Sequence, residues 1–181
     1  MEQRRSLRPS YHWSEGAELR RIALPPVLPA AHPYVVYFIR NGNRVKIGTT
    51  KSLAARLNQF GLSRSQVAVV VEGDYVLEDA LHVQFSEYRV DETEWFRLVP
   101  SLLAFIKHCK GGVAEAVLGD PEHQALWEDL DQIAARTGRP LGDLRKLRKD
   151  PTWPRSVGTT GGRRRLYHRR QVDSWLAQSS P

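Results

Sequence analysis

Cysteine is almost missing from this sequence: Cys109 is the only one in 181 residues. A lone cysteine excludes an internal disulfide and a cysteine-built zinc site, and it suits a reducing cytoplasm. No apolar run approaches the ~18 residues that a membrane helix needs. The N-terminal stretch carries charge without an apolar core, so no secretory signal is expected. No internal repeat or low-complexity tract appears. No heptad or long apolar seam appears either, which leaves the oligomeric state open. His12, His32, His108, His123 and His168 show no paired metal-ligand spacing.

What is there is basic charge. The formal net charge is +7 and the pI about 9.9, which favours a polyanionic partner. The excess is local: Arg136 to Arg170 holds twelve Lys or Arg against only Asp143 and Asp150. An apolar fraction of 41% supports folded cores, and the length allows one medium domain or two small ones.

Taken in order, residues 1–32 mix arginines with Pro25, Pro26 and Pro29 and read as an extended basic leader, with a short helix near Ser14–Arg21. Such a leader is either a disordered tail or an arm that touches phosphates. Val35–Arg40 is rich in β-branched and aromatic residues, Asn41-Gly42 is a tight-turn signal, and Arg44–Gly48 returns as a second strand. Thr50 or Ser52 can cap a helix that runs to Phe60 and stops at Gly61. Val67–Val71 is an apolar third strand, and Leu77–Tyr88 is helical with Leu77, Leu81 and Phe85 on one stripe. Glu94–Leu98 is short and aromatic, and Pro100–Cys109 is an amphipathic helix. Residues 111–125 read as a linker with one short helix. Beyond it, helices are expected over Trp127–Arg136 and Pro140–Lys149, around a turn at Thr137-Gly138-Arg139. A basic hairpin at Gly161–Tyr167 and a last helix at Arg169–Gln178 follow. Ala134, Gly138 and Leu144 have the spacing by which two helices approach, turn and pack.

Tyr34-Val35-Val36-Tyr37, Lys46-Ile47-Gly48, Arg56, Glu78-x-x-x-His82 and Glu94-Trp95-Phe96 stand in an order that resembles the GIY-YIG endonuclease superfamily, in its phage-type branch where the second signature reads KIG. The resemblance covers about 65 residues. It implies an α+β domain over 33–110, with a three-stranded antiparallel sheet flanked by helices. It also implies a metal-dependent DNA endonuclease. Tyr37 would move a proton, with Lys46 as the nearby cation that a phenol needs to act near neutral pH. Arg56 would bind phosphate, and Glu78 would hold Mg²⁺ or Mn²⁺. His82 would orient water, contact phosphate or serve the fold. Lys46 replaces the usual second tyrosine and has no phenolic chemistry of its own.

Residues 126–181 resemble the winged helix-turn-helix of the excisionase and MerR-like group, a mainly α domain. The resemblance implies DNA as partner, no membrane, and a cytoplasmic, nucleoid-associated location. Arg139, Arg145, Lys146, Arg148 and Lys149 would come from the recognition helix and Arg163, Arg164 and Arg165 from a wing. Two functions follow. One is an endonuclease delivered by its C-terminal domain; the other is a non-catalytic regulator or recombination accessory protein whose nuclease domain is degenerate.

Overall fold

Short, strongly β-forming segments and capped helices alternate along the first 120 residues. The computed structural model, which describes residues 19–158 and 164–179, shows how they assemble. The strands are β1 (Arg21–Ala23), β2 (Val35–Asn41), β3 (Arg44–Thr50), β4 (Val67–Glu72), β5 (Trp95–Arg97) and β6 (Ala114–Val117). The helices are α1 (Leu53–Phe60), α2 (Tyr75–Gln84) and α3 (Pro100–Gly111). These lie in one unit that ends at Asp120; a second begins at Pro121.

The expected three-stranded sheet is the centre of a larger one. Six strands pair in the order β5-β3-β2-β4-β1-β6. All pairs are antiparallel except β1 with β6. Strand β1 comes from the segment expected as a leader, and β6 from the segment expected as a linker. The helix expected near Ser14–Arg21 lies outside the described residues up to residue 18, and Arg21 itself opens β1. The hairpin turn falls one residue later than expected. Asn41 pairs with Arg44, so Gly42 and Asn43 form the loop, with Gly42 at φ 60°. Helix α2 stops at Gln84, and Ser86–Tyr88 forms a separate 3₁₀ turn.

Alternation along the strands sorts the two faces. Val36, Phe38, Val45, Ile47, Val69 and Val71 face a core completed by Leu77, Leu81 and Phe85 from α2 and by Leu102, Phe105, Ile106 and Cys109 from α3. Tyr37 and Ile39 lie on the other face, where Lys46 stands directly across from Ile39. Phe60, the last residue of α1, meets Lys46 there. Ser52 caps α1 by accepting from the Ala55 amide, and Asp74 caps α2 by accepting from Val76.

The second unit is less helical than expected. Trp127 and Glu128 form a strand rather than a helix start, because they pair with His168 and Tyr167 and Asp129 then caps the chain into helix. Its elements are α4 (Pro121–Gln124), β7 (Trp127–Glu128), α5 (Leu130–Thr137), α6 (Leu141–Leu147), β8 (Ser156–Gly158), β9 (Arg165–His168) and α7 (Arg169–Gln178). The strands pair in the order β7-β9-β8. Asp129 and Gln132 form a reciprocal capping box on α5, and Gly138 closes it at φ 69°, a left-handed conformation that lets the chain reverse into α6. Ile133, Leu144, Trp153, Tyr167, Val172 and Leu176 make the core, with Ala134 packed against it. Among the described residues no helix of the molecule is long and apolar enough to cross a membrane.

Candidate active site

Strand β5 pairs with Arg44–Lys46 at the start of β3, and beyond that pairing the Ile47 amide donates to the Glu94 carbonyl at 3.2 Å. Among the described residues the far half of β3 has no strand beyond it. A cleft of about 270 Å³ lies in this region, lined by Tyr34, Tyr37, Thr49, Arg56, Tyr75, Glu78 and Glu94. Thus Tyr37 from β2, Arg56 from α1 and Glu78 from α2, far apart in sequence, come together.

Gly48 makes the arrangement possible. It pairs with Tyr37, and a Cβ there would lie 2.4 Å from the Tyr37 Oη and 2.7 Å from its Cζ. The phenol therefore lies across the bare backbone of β3. The Tyr37 side chain is 1% exposed and cannot swing aside without disturbing the sheet. Gly48→Ala is expected to cost about 1–3 kcal/mol, the usual penalty of overpacking, and to displace Tyr37 from the cleft. Urea unfolding and the near-ultraviolet tyrosine signal would register both effects.

The charges around the cleft pull against burial. Burial pushes the Tyr37 phenol above its ordinary value; the Arg56 charge opposes this, while Glu94 and Glu78 reinforce it. Burial likewise raises the Glu78 carboxyl. The Thr49 hydroxyl and His82 favour its ionised form, and Glu94 and Asp79 disfavour it. The Thr49 hydroxyl is buried and lines the cleft with Glu78. Burial would raise Glu94 as well, but the Lys46 hydrogen bond and charge, with His82 and Arg56, outweigh it and hold the carboxyl below its usual range.

Two of the residues expected in the site flank the cleft without lining it. Lys46, with its side chain only 8% exposed, donates to Glu94 Oε2 at 2.5 Å. Its ammonium also lies 4.7 Å from the Phe60 ring centre and 5.8 Å from that of Trp95. The expected pairing of Lys46 with Tyr37 is not what the strand register gives. Lys46 stands across from Ile39, one pleat away, and the cation that bears on the phenol is Arg56. His82 Nε2 lies 3.0 Å from the Ile47 carbonyl, to which it donates, and 3.9 Å from Glu78 Oε1. It takes over a sheet carbonyl past the end of β5, with its ring 5.1 Å from that of Phe96. Arg56 donates to Gln59 Oε1 at 3.0 Å.

Glu94, Thr49, Tyr34 and Tyr75 line the cleft, and the sequence alone gives none of them a role there. Glu94 had one signal, an acidic residue just before the aromatic pair Trp95-Phe96. Only the pairing of β5 with β3 shows that it meets Lys46.

His32 braces the helix that carries Arg56. Its Nε2 accepts from the Leu53 amide at 2.9 Å, and its Nδ1 faces the Pro33 carbonyl at 2.7 Å. The ring is therefore neutral, with its proton on Nδ1. Burial lowers its pKa below 6.5, against the Pro33 hydrogen bond that would raise it. Because the folded value is depressed, this contribution to stability is fully present above 6.5 and is lost as pH falls through the folded value. The melting temperature should fall from about pH 7.5 to about pH 5. His32→Ala should flatten that dependence while costing about 1–3 kcal/mol for the orphaned Leu53 amide.

In the second unit Arg145, Lys146, Arg148 and Lys149 are exposed on and just after α6, and Arg139 is half-buried in the turn before it. Lys146 lies 3.5 Å from Asp143. Arg164 donates to the α5 cap Asp129 at 3.2 Å, and Arg165 is exposed on β9. Arg163 lies outside the described residues. Arg136, the first of the basic run, is held inside the fold: it meets Glu128 on β7 and Asp173 on α7, each at 2.8 Å.

No curated protein and no solved structure matches the chain. A protein-family match does exist, to a phage-associated domain commonly linked to nuclease-like proteins. Residues 32–112, which contain every residue lining the cleft, match the T5orf172 domain.

Proposed function

We propose that the first unit is a metal-dependent DNA endonuclease domain of the GIY-YIG type, and that the second is a winged helix-turn-helix that brings it to DNA. The observation that carries this reading is the meeting of Tyr37, Arg56 and Glu78 in one cleft. The family match to residues 32–112 supports it, because that segment contains the whole cleft. The turn at Gly138 between α5 and α6, with three strands beside them, supports the second half.

The donor set suits Mg²⁺ or Mn²⁺. Glu78 is a half-buried carboxylate whose ionised form is disfavoured and would gain from a cation. Among the described residues no three His, Cys, Asp or Glu side chains converge, so such an ion would keep much of its water, as Mg²⁺ does. When bound, it would supply Lewis-acid stabilisation of charge on the phosphate.

The chain's own side chains would do the rest. Arg56 would bind the phosphate through its guanidinium and neutralise charge as it builds. Hydrolysis forms one bond from a water oxygen to phosphorus and breaks one phosphorus–oxygen ester bond. Tyr37, kept protonated by burial, would give its proton to the leaving oxygen and regain one from the attacking water. Glu94 would keep Lys46 in place and add negative charge on the cation's side of the cleft, while His82 would hold β3 in register.

Supercoiled and branched DNA incubated with Mg²⁺ or Mn²⁺ tests the reading. Nicking or linearisation by the wild type that is lost in Arg56→Ala and Glu78→Ala is the expected result. Intact DNA under all conditions, with binding retained, would make the protein a DNA-binding regulator instead. For the second unit, replacing Arg145, Arg148 and Lys149 together with alanine should weaken DNA binding. The salt slope should fall by about one for each phosphate that is no longer neutralised. Titrations at several salt concentrations would measure it.

A further inference from the structure

Tyr34, just before β2, and Tyr75, the first residue of α2, have no part in the hydrolysis described above. Both are half-buried in the cleft wall beside Arg56 and Glu78. Their rings meet edge to face, with centres 5.4 Å apart and planes at 68°. In such a pair the edge of one ring meets the face of the other, and both rings still line the cleft, where a third planar group can reach them. Burial and the neighbouring Tyr34 hydroxyl, with which it shares a hydrogen bond, push the Tyr75 phenol up to about 12, so Tyr75 stays neutral. In a cleft that also holds Arg56, Glu78 and Glu94, the two rings offer apolar area that none of the charged residues can use. The cleft, at about 270 Å³, is small beside a stretch of duplex.

We propose that Tyr34 and Tyr75 form a stacking shelf for one unpaired nucleobase next to the phosphate bound by Arg56. This rests on the endonuclease reading and extends it from the phosphate to the nucleoside. A base inside a duplex has both faces covered by its neighbours, so the shelf can take only a base that has left the stack. The preferred substrate is therefore DNA with a bulge, junction or single-stranded break in stacking at the cut, not continuous duplex.

The test uses the full chain and hairpin DNA carrying one bulged 2-aminopurine, with a matched hairpin whose bulge is abasic. Binding is read in EDTA, where no cleavage occurs, and cleavage is read separately in Mn²⁺. Wild type should bind the bulged DNA and quench the 2-aminopurine. Tyr75→Leu and Tyr34→Leu should each lose the quenching and about tenfold in affinity, the size expected for one base–aromatic stack. Tyr75→Phe, which keeps the ring, should keep both. Abasic DNA should bind wild type about tenfold more weakly, with no further loss in Tyr75→Leu. Leucine variants that retain affinity and quenching, or that lose equally on abasic DNA, would overturn the shelf. If the leucine variants fail to fold by circular dichroism, the wild-type comparison of bulged with abasic DNA decides. Absence of cleavage on every DNA defeats the endonuclease reading alone, since the shelf is judged by binding.

Discussion

Replacing Glu78 with glutamine should abolish DNA cleavage and at the same time raise the melting temperature. The two effects have one cause. Burial raises the Glu78 carboxyl above its ordinary value, against the help of Thr49 and His82. A raised folded value means that the ionised group is less favourable in the folded than in the unfolded chain. Its contribution to stability is present below the unfolded value and lost as pH rises through the folded one, so near neutral pH the charge destabilises the fold. Glutamine keeps the shape and removes that charge. If the carboxylate is there to bind a metal, the same change removes the ligand, and cleavage should fall by about 10²-fold or more, as when a group aimed at transition-state charge is lost. A carboxylate kept for structure predicts the reverse, a lower melting temperature with activity little changed. Calorimetry at about pH 5 and about pH 8 in EDTA, paired with a nicking assay, separates the two. The stability gain should be larger at the higher pH.

The second large effect is expected in the C-terminal unit, on removing Glu128. Its side chain is 9% exposed and accepts from Arg136 Nε at 2.8 and 2.9 Å, while Arg169 approaches it at 3.4 Å. Arg136 also reaches Asp173 on α7, so this cluster ties β7 to α5 and α7. Glu128→Ala leaves guanidinium groups without their buried partner, which costs about 3 kcal/mol, the lower end of the range for a broken buried pair. A small unit has little stability in reserve. Its helices should therefore lose protection from hydrogen exchange, and DNA affinity should drop with them, although no DNA-facing residue has been changed. Replacing Glu128, Arg136 and Asp173 together with apolar residues of similar size should recover much of the loss, because well-packed hydrophobic groups often match a buried ion pair.

This cluster also corrects a simple reading of the basic run. Twelve cations between Arg136 and Arg170 look alike in the sequence, yet Arg136 is committed to the interior and Arg164 leans on the α5 cap, while Arg145, Arg148 and Lys149 face solvent. Charge counting finds the tract. The fold decides which members can reach a phosphate.

Local chemistry determined a good deal by itself. The β-branched run at Val35–Ile39, the glycine in the hairpin turn, the serine before α1 and the glycine after α5 each act through neighbours a few residues away. Their elements appear in the structure close to where local chemistry predicts them. The order of Tyr37, Arg56 and Glu78 along the chain likewise marked residues that share a cleft. Tertiary structure alone decided the rest. Strands β1 and β6 are three and four residues long, with no periodicity to read, and they become strands because Arg21 meets Ala114 across the sheet. Glu94 enters the cleft, and Lys46 leaves Tyr37 to Arg56, because of the register between β5, β3 and β2. Register is set by which faces a whole sheet can bury. No stretch of sequence carries that information alone, since each strand's partner is chosen by the apolar area that all of them bury together.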